Sequence, residues 1–229
     1  MANEKKSDET RTSIDNINDS LTGLEQKVQN NQKVIMWLCV AAAAVVCVIF
    51  LYVYAFHNPR KEAGNNAIGQ ADTELLNGND SIALDQYRQV VDNYGGDAAN
   101  RAALNAAILL YKEKKYQEAI DYLKKYDAKE SVIGAGALSL QGDCYVNLKD
   151  YENALSCFRK AAKESDNNPH YTPYFMMKEA TVLHEMKEYK KEAAVYERLM
   201  ADYPAYGEAN RIDFEKYLDR ANTLAGEAN

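Results

Sequence analysis

Helix breakers are scarce in this chain of 229 residues, with 4 Pro and 11 Gly. Collagen-like and low-complexity chains carry far more of both, and a 47% hydrophobic content is too high for disorder throughout. Cysteine is scarce as well: four residues do not make the disulfide framework of a small secreted domain. Basic side chains are in the minority, 27 Lys and Arg against 34 Asp and Glu, for a net charge of −7. A dedicated nucleic-acid binder needs a basic face to offset phosphate charge, so that class is excluded. The aromatic weight lies in 17 Tyr.

Against this background one stretch stands out. Residues 34–56, VIMWLCVAAAAVVCVIFLYVYAF, run for 23 positions without a charge. A helix of that length reaches about 34 Å, enough to cross the hydrocarbon layer of a bilayer with some tilt. Trp37 near one end, with Tyr52 and Tyr54 near the other, form the aromatic belt that favours the headgroup level. The run is too long, and stands behind too many residues, for a cleaved signal peptide. The expectation is an uncleaved transmembrane helix.

Charge around the span bears on its orientation. Lys5, Lys6, Arg11, Lys27 and Lys33 precede it, and Arg60 and Lys61 follow. Counting the whole tail, the positive-inside rule favours a cytoplasmic N-terminus. Counting only the nearest flanks, two basic residues stand on each side. In the polar tail of residues 1–33, Ile14, Ile17, Leu21, Leu24 and Val28 alternate steps of three and four, and Asn31 and Ile35 extend that register. The stripe reads either as a short coiled coil making a homodimer through residues 14–35 or as a single amphipathic helix.

Residues 57–229 repeat. Gly142, Tyr145, Tyr151, Ala154, Phe158 and Ala161 are separated by 3, 6, 3, 4 and 3 positions. The same steps run through Ala107, Leu110, Tyr116, Ala119, Leu123 and Tyr126, and through Ala180, Leu183, Tyr189, Glu192, Tyr196 and Leu199. A weaker copy holds Ala71, Glu74, Asp80, Ala83, Tyr87 and Val90. Successive blocks start 36, 35 and 38 residues apart. KKYQEAIDYL (114–123) and KDYENALSCF (149–158) are the most specific segments.

This pattern resembles the tetratricopeptide repeat, in which small residues sit where two antiparallel helices cross and large ones fill the space to the next pair. The resemblance implies an all-α fold: an N-terminal transmembrane helix, then an α-solenoid of four helix pairs over residues 57–205, the first degenerate, then a capping helix over residues 206–229. Glu192 stands where a small residue is expected, and Ala193 beside it offers a register shifted by one. NNPHYTP (167–173) reads as an inserted connection. GEANRIDFEKYLDRANTL (207–224) reads as one amphipathic helix, with Ile212, Phe214, Tyr217, Leu218, Ala221 and Leu224 on its apolar side.

Catalytic motifs are missing. His57, His170 and His184 are dispersed, and His184-Glu185 lacks the second His four positions on that a zinc-protease helix needs. Gly134, Gly136 and Gly142 have the wrong spacing for a dinucleotide fingerprint, and no phosphate loop or G-x-S-x-G is present. Cys144 and Cys157 read as small apolar filler, with a disulfide an alternative only in an exported domain. The expectation is a non-enzyme without cofactor or metal.

Repeat arrays of this kind bind partners along the first helix of each pair. Projecting the register, that row presents Arg101, Leu104, Ile108 and Tyr111; then Ser139, Asp143 and Asn147; then Tyr174, Met177, Thr181 and His184. The mixture suits an extended or helical peptide, with burial in the core as the competing fate of each residue. Some relatives clamp the terminal carboxylate of cytosolic chaperones, but Leu104 and Ile108 stand at two places that such a clamp uses. The whole layout, a polar tail, one anchor and a short repeat array, resembles the ancillary repeat-bearing subunit of the bacterial Sec translocon. That resemblance implies an inner-membrane protein with a periplasmic repeat domain. Its partners would be the translocon, secretory or envelope proteins, and chaperones. The alternative is a cytoplasm-facing adaptor recruiting a soluble partner to the membrane.

Overall fold

The computed structural model describes residues 31–128 and 131–227, and all regular structure among them is helical. The expected stripe from Ile14 to Val28 lies outside the described residues. The chain divides into two units between Pro59 and Arg60.

In the first unit, helix α1 spans Gln32–Tyr52 and passes into a π-helical turn, Val53–His57. Every residue of both is exposed, including Trp37, Phe50, Tyr54 and Phe56. The π turn has a local cause. Pro59 has no N–H to donate and its ring crowds the carbonyl of the preceding turn. The wider turn just before it, in which the Asn58 N–H donates to the Val53 carbonyl, relieves that crowding.

The second unit holds all but the first two residues of helix α2 (Asn58–Leu76), then α3 (Asp80–Asn93), α4 (Gly96–Lys112), α5 (Tyr116–Leu123), α6 (Ser131–Asn147), α7 (Tyr151–Glu164), α8 (Tyr171–Glu185), α9 (Tyr189–Asp202), α10 (Pro204–Asn210) and α11 (Phe214–Glu227). Each helix from α3 to α9 packs on the next in sequence, and α11 packs on α9. The helices join through a repeated turn. Asn79, Lys115, Asp150 and Glu188 donate their N–H groups to the carbonyls of Glu74, Leu110, Tyr145 and Leu183, all at 2.9 Å. The preceding residues Gly78, Lys114, Lys149 and Lys187 have φ of 79°, 62°, 60° and 59°. This is the six-to-one helix stop, which satisfies the orphan carbonyls of the first helix and starts the second within a few residues. Gly78 takes the left-handed conformation without strain; the three lysines take it at a cost of about 1 kcal/mol each.

The repeat steps describe the core. Ala71, Ala83, Ala107, Ala119, Ala154 and Ala180 are buried, as are Leu110, Phe158, Leu183, Tyr196 and Leu199. The core is a series of linked clusters rather than one centre. One joins α2 through α6, another ties Ala154 and Phe158 to Val182 of α8, and a third joins α8, α9 and α11 around Leu199 and Phe214. Each pair thus buries its apolar side against its neighbours, which makes stability a nearest-neighbour property.

Two expectations are corrected. The connection before α8 ends at His170, so Pro173 lies in the first turn of α8, where the N–H it lacks would have no helical partner anyway. The carboxamide oxygen of Asn168 accepts from the His170 and Tyr171 N–H groups and starts that helix. Residues 207–224 are two helices, not one. Arg211, at φ 56°, ends α10 with the same six-to-one stop, Ile212 N–H to Gly207 carbonyl at 2.8 Å. Asp213 then accepts from the Lys216 N–H at the start of α11.

Candidate functional site

The first helices α2, α4, α6 and α8 form a row, with α2 meeting α4 through Asp72, α4 touching α6 and α6 touching α8. Their polar side chains meet in three groups along it.

The first group centres on Asp72 of α2. Its carboxylate accepts from the Tyr87 hydroxyl at 2.6 Å, Arg101 at 2.8 Å and Asn105 at 3.4 Å. Burial, and then the adjacent Asp72 carboxylate, push the Tyr87 phenol well above its ordinary value.

The second group centres on Asp143 of α6. Lys178 of α8 donates to both carboxylate oxygens, at 2.7 and 2.5 Å. The ammonium also lies 5.0 Å from the Tyr174 ring centre and 5.4 Å from that of Phe158. Asn147 ties its amide to the Asp143 main-chain carbonyl at 2.8 Å. Burial pushes the Tyr111 phenol up, and the Asp143 charge adds to this while Asn147 and Lys178 oppose it. Tyr111, Asn147, Asp143 and Lys178, drawn from three successive pairs, therefore share one locality.

The third group is built on Glu192 of α9, which is fully buried. Arg220 of α11 donates to one oxygen at 2.7 Å, and His184 Nδ1 lies 2.9 Å from the other. The register is therefore not shifted. Glu192 occupies the position that Ala119 and Ala154 hold in earlier pairs, and Ala193 is buried beside it.

Of the residues projected onto the row, Arg101, Ile108, Asn147, Tyr174 and Thr181 are exposed, and Leu104, Tyr111, Asp143, Met177 and His184 are half-buried. Ser139 is a correction: it is 4% exposed. It lies on the helical stripe of Ala135 and Gly142, which packs inward, and so has no face for a ligand. Sequence reasoning missed Asp72, Asn105, Lys178, Glu192 and Arg220 as members of these groups. It also missed the pair of Arg159 and buried Glu179 at 2.7 Å. One signal was available: Lys178 follows Asp143 by 35 residues, about one helical turn short of the 38-residue step between their blocks, so opposite charges fall at neighbouring places in adjacent pairs. Nothing comparable marks Asp72, which meets Arg101 at a separation of 29.

The Cys144 and Cys157 thiols are shielded from reaction. Both are buried in the core, and burial pushes Cys144 up to about 12, with Asp143 adding to it, and raises Cys157. Among the described residues no group of three His, Cys, Asp or Glu side chains could hold a metal ion. The row presents half-exposed aromatics, one Met and locally neutralised charges.

Comparison with known proteins supports the repeat register. Two tetratricopeptide repeat models match, one over residues 68–132 and one over 135–168. A crystal structure of MamA protein superposes with a TM-score of 0.53 at 18% identity, covering 73% of this chain and 91% of that one. A second MamA crystal structure gives 0.50 at 18% identity, covering 69% and 95%. At that identity the likeness is one of fold. No curated protein matches the chain.

Proposed function

We propose that this chain, which carries tetratricopeptide repeats across residues 68–132 and 135–168, is a non-enzymatic, membrane-anchored scaffold for protein–protein interaction. The first helices of its repeats line the groove in which an extended or helical peptide lies. Residues 34–56 cross the inner membrane, the N-terminal tail is cytoplasmic, and the repeats face the periplasm. The partners belong to protein translocation or envelope protein biogenesis: the translocon, secretory or envelope proteins, and chaperones. Pairing of two copies through residues 14–35 belongs to the same reading, as does a domain order of tail, anchor, four repeats and cap.

One observation carries the anchoring. From Val34 to Phe56 the large apolar side chains lie on an exposed helix with none of them buried. A continuous apolar surface of that extent is not left to water; lipid covers it at the length the hydrocarbon layer requires. The scaffold reading is supported by repeats whose first helices keep Ile108, Tyr174 and Thr181 in solvent although the pairs around them are packed.

Sidedness is tested by protease accessibility in intact spheroplasts, probed with an antibody against residues 206–229. Digestion without lysis is the expected outcome. Protection until lysis sinks the periplasmic assignment and leaves a cytoplasm-facing adaptor that recruits a soluble partner to the membrane.

A further inference from the structure

The middle of the row holds a ready-made box for a cation, occupied by a side chain of the chain itself. Asp143 receives the Lys178 ammonium on both oxygens, and that ammonium lies against the Tyr174 and Phe158 rings. A carboxylate combined with aromatic faces holds ammonium and guanidinium groups by charge-assisted hydrogen bonds and cation–π attraction. The box is not sealed: the Asp143 and Lys178 side chains keep 27% and 21% of their surface in solvent.

Its two members differ in how readily they can leave. Asp143 is short, and its main-chain carbonyl is tied to Asn147. Lys178 sits on a flexible four-carbon stem and is strongly hydrated when free, so it regains in water much of what it loses on leaving. The reverse exchange, with Lys178 turning to an acidic partner, would leave the half-buried Asp143 carboxylate without a cation. Asp72 repeats the arrangement, a short acid held by Tyr87 and Asn105 and covered by Arg101 from the next pair. The net charge of −7 draws cations towards the chain.

We propose that Asp143 receives a lysine or arginine side chain of the bound peptide, with Lys178 as a tethered placeholder that swings out when the partner's cation arrives. The repeat groove then selects basic peptides. This rests on the reading of the row as a peptide-binding face.

The test uses the full chain in detergent micelles, panned against a random displayed peptide library, with recovered peptides measured by fluorescence anisotropy. Enrichment of Lys and Arg is expected. Asp143→Asn should weaken the recovered peptides roughly tenfold, the worth of one half-buried charged contact. Lys178→Met keeps the stem and removes the placeholder charge, so it should tighten them; a folding defect cannot produce that direction. Replacing the peptide's basic residue by Gln should abolish both effects. Peptides recovered without basic enrichment, or with affinities indifferent to Asp143→Asn and Lys178→Met, overturn this proposal and leave the groove reading standing. Recovery of no peptide by any variant overturns both.

Discussion

At Gly142 the ring of Phe158 occupies the space a side chain would need: a Cβ there would lie 2.6 Å from one ring carbon and 2.8 Å from the next. Phe158 is itself buried and cannot give way. Gly142→Ala is therefore expected to destabilise the fold by about 1–3 kcal/mol through overpacking, read as a lowered thermal midpoint. Gly136 lies on the exposed side of the same helix, and a Cβ added there would meet nothing within 4 Å. Gly136→Ala should raise the midpoint, by about 0.5–1 kcal/mol of helix propensity. Two glycines six residues apart thus move stability in opposite directions. The need for a small residue at 142 is legible in the repeat steps. The identity of the neighbour that enforces it comes from the packed core.

At the scale of elements, one side chain from the terminal helix completes the fourth pair. Glu192 fills a helix-crossing position that elsewhere takes Ala, and a buried carboxylate there needs compensation. Arg220 of α11 supplies it at 2.7 Å, with His184 on the other oxygen, and the guanidinium also lies 5.2 Å from the Tyr217 ring centre. Arg220→Ala is expected to cost about 3 kcal/mol by leaving the carboxylate short of a partner. The double variant Glu192→Ala, Arg220→Ala should recover most of that loss, because Ala fits the crossing in the earlier pairs. A double variant no more stable than Arg220→Ala alone in denaturant titration refutes the coupling. In the sequence, Glu192 is a misfit that invites a shift of register. Its partner lies 28 residues away on a helix outside the repeat pattern, so periodicity has no means of pointing to it.

At the scale of the whole molecule, the repeats gain stability from neighbouring pairs, whereas helix α1 buries none of its residues and, on the proposed reading, would gain its stability from lipid. Self-association belongs to this scale. Deleting residues 1–33 is expected to convert a dimer to a monomer in mild detergent, with mass read by light scattering; an unchanged mass removes the coiled-coil proposal.

What the sequence determined by itself is whatever depends on local periodicity. The charge-free run from Val34 to Phe56, the alternation of small and large residues, and the helix pairs they imply all follow from spacing along one chain. Tertiary structure decided what depends on neighbours in space. It broke residues 207–224 at Arg211, which lets the Phe214 ring pack back over Gly207 as one straight helix would not. It buried Ser139, and it gathered Asp72, Asp143 and Glu192 each under a cation from another helix. Those meetings span 28 to 35 residues, and charge placed at such separations has no partner until the helices pack.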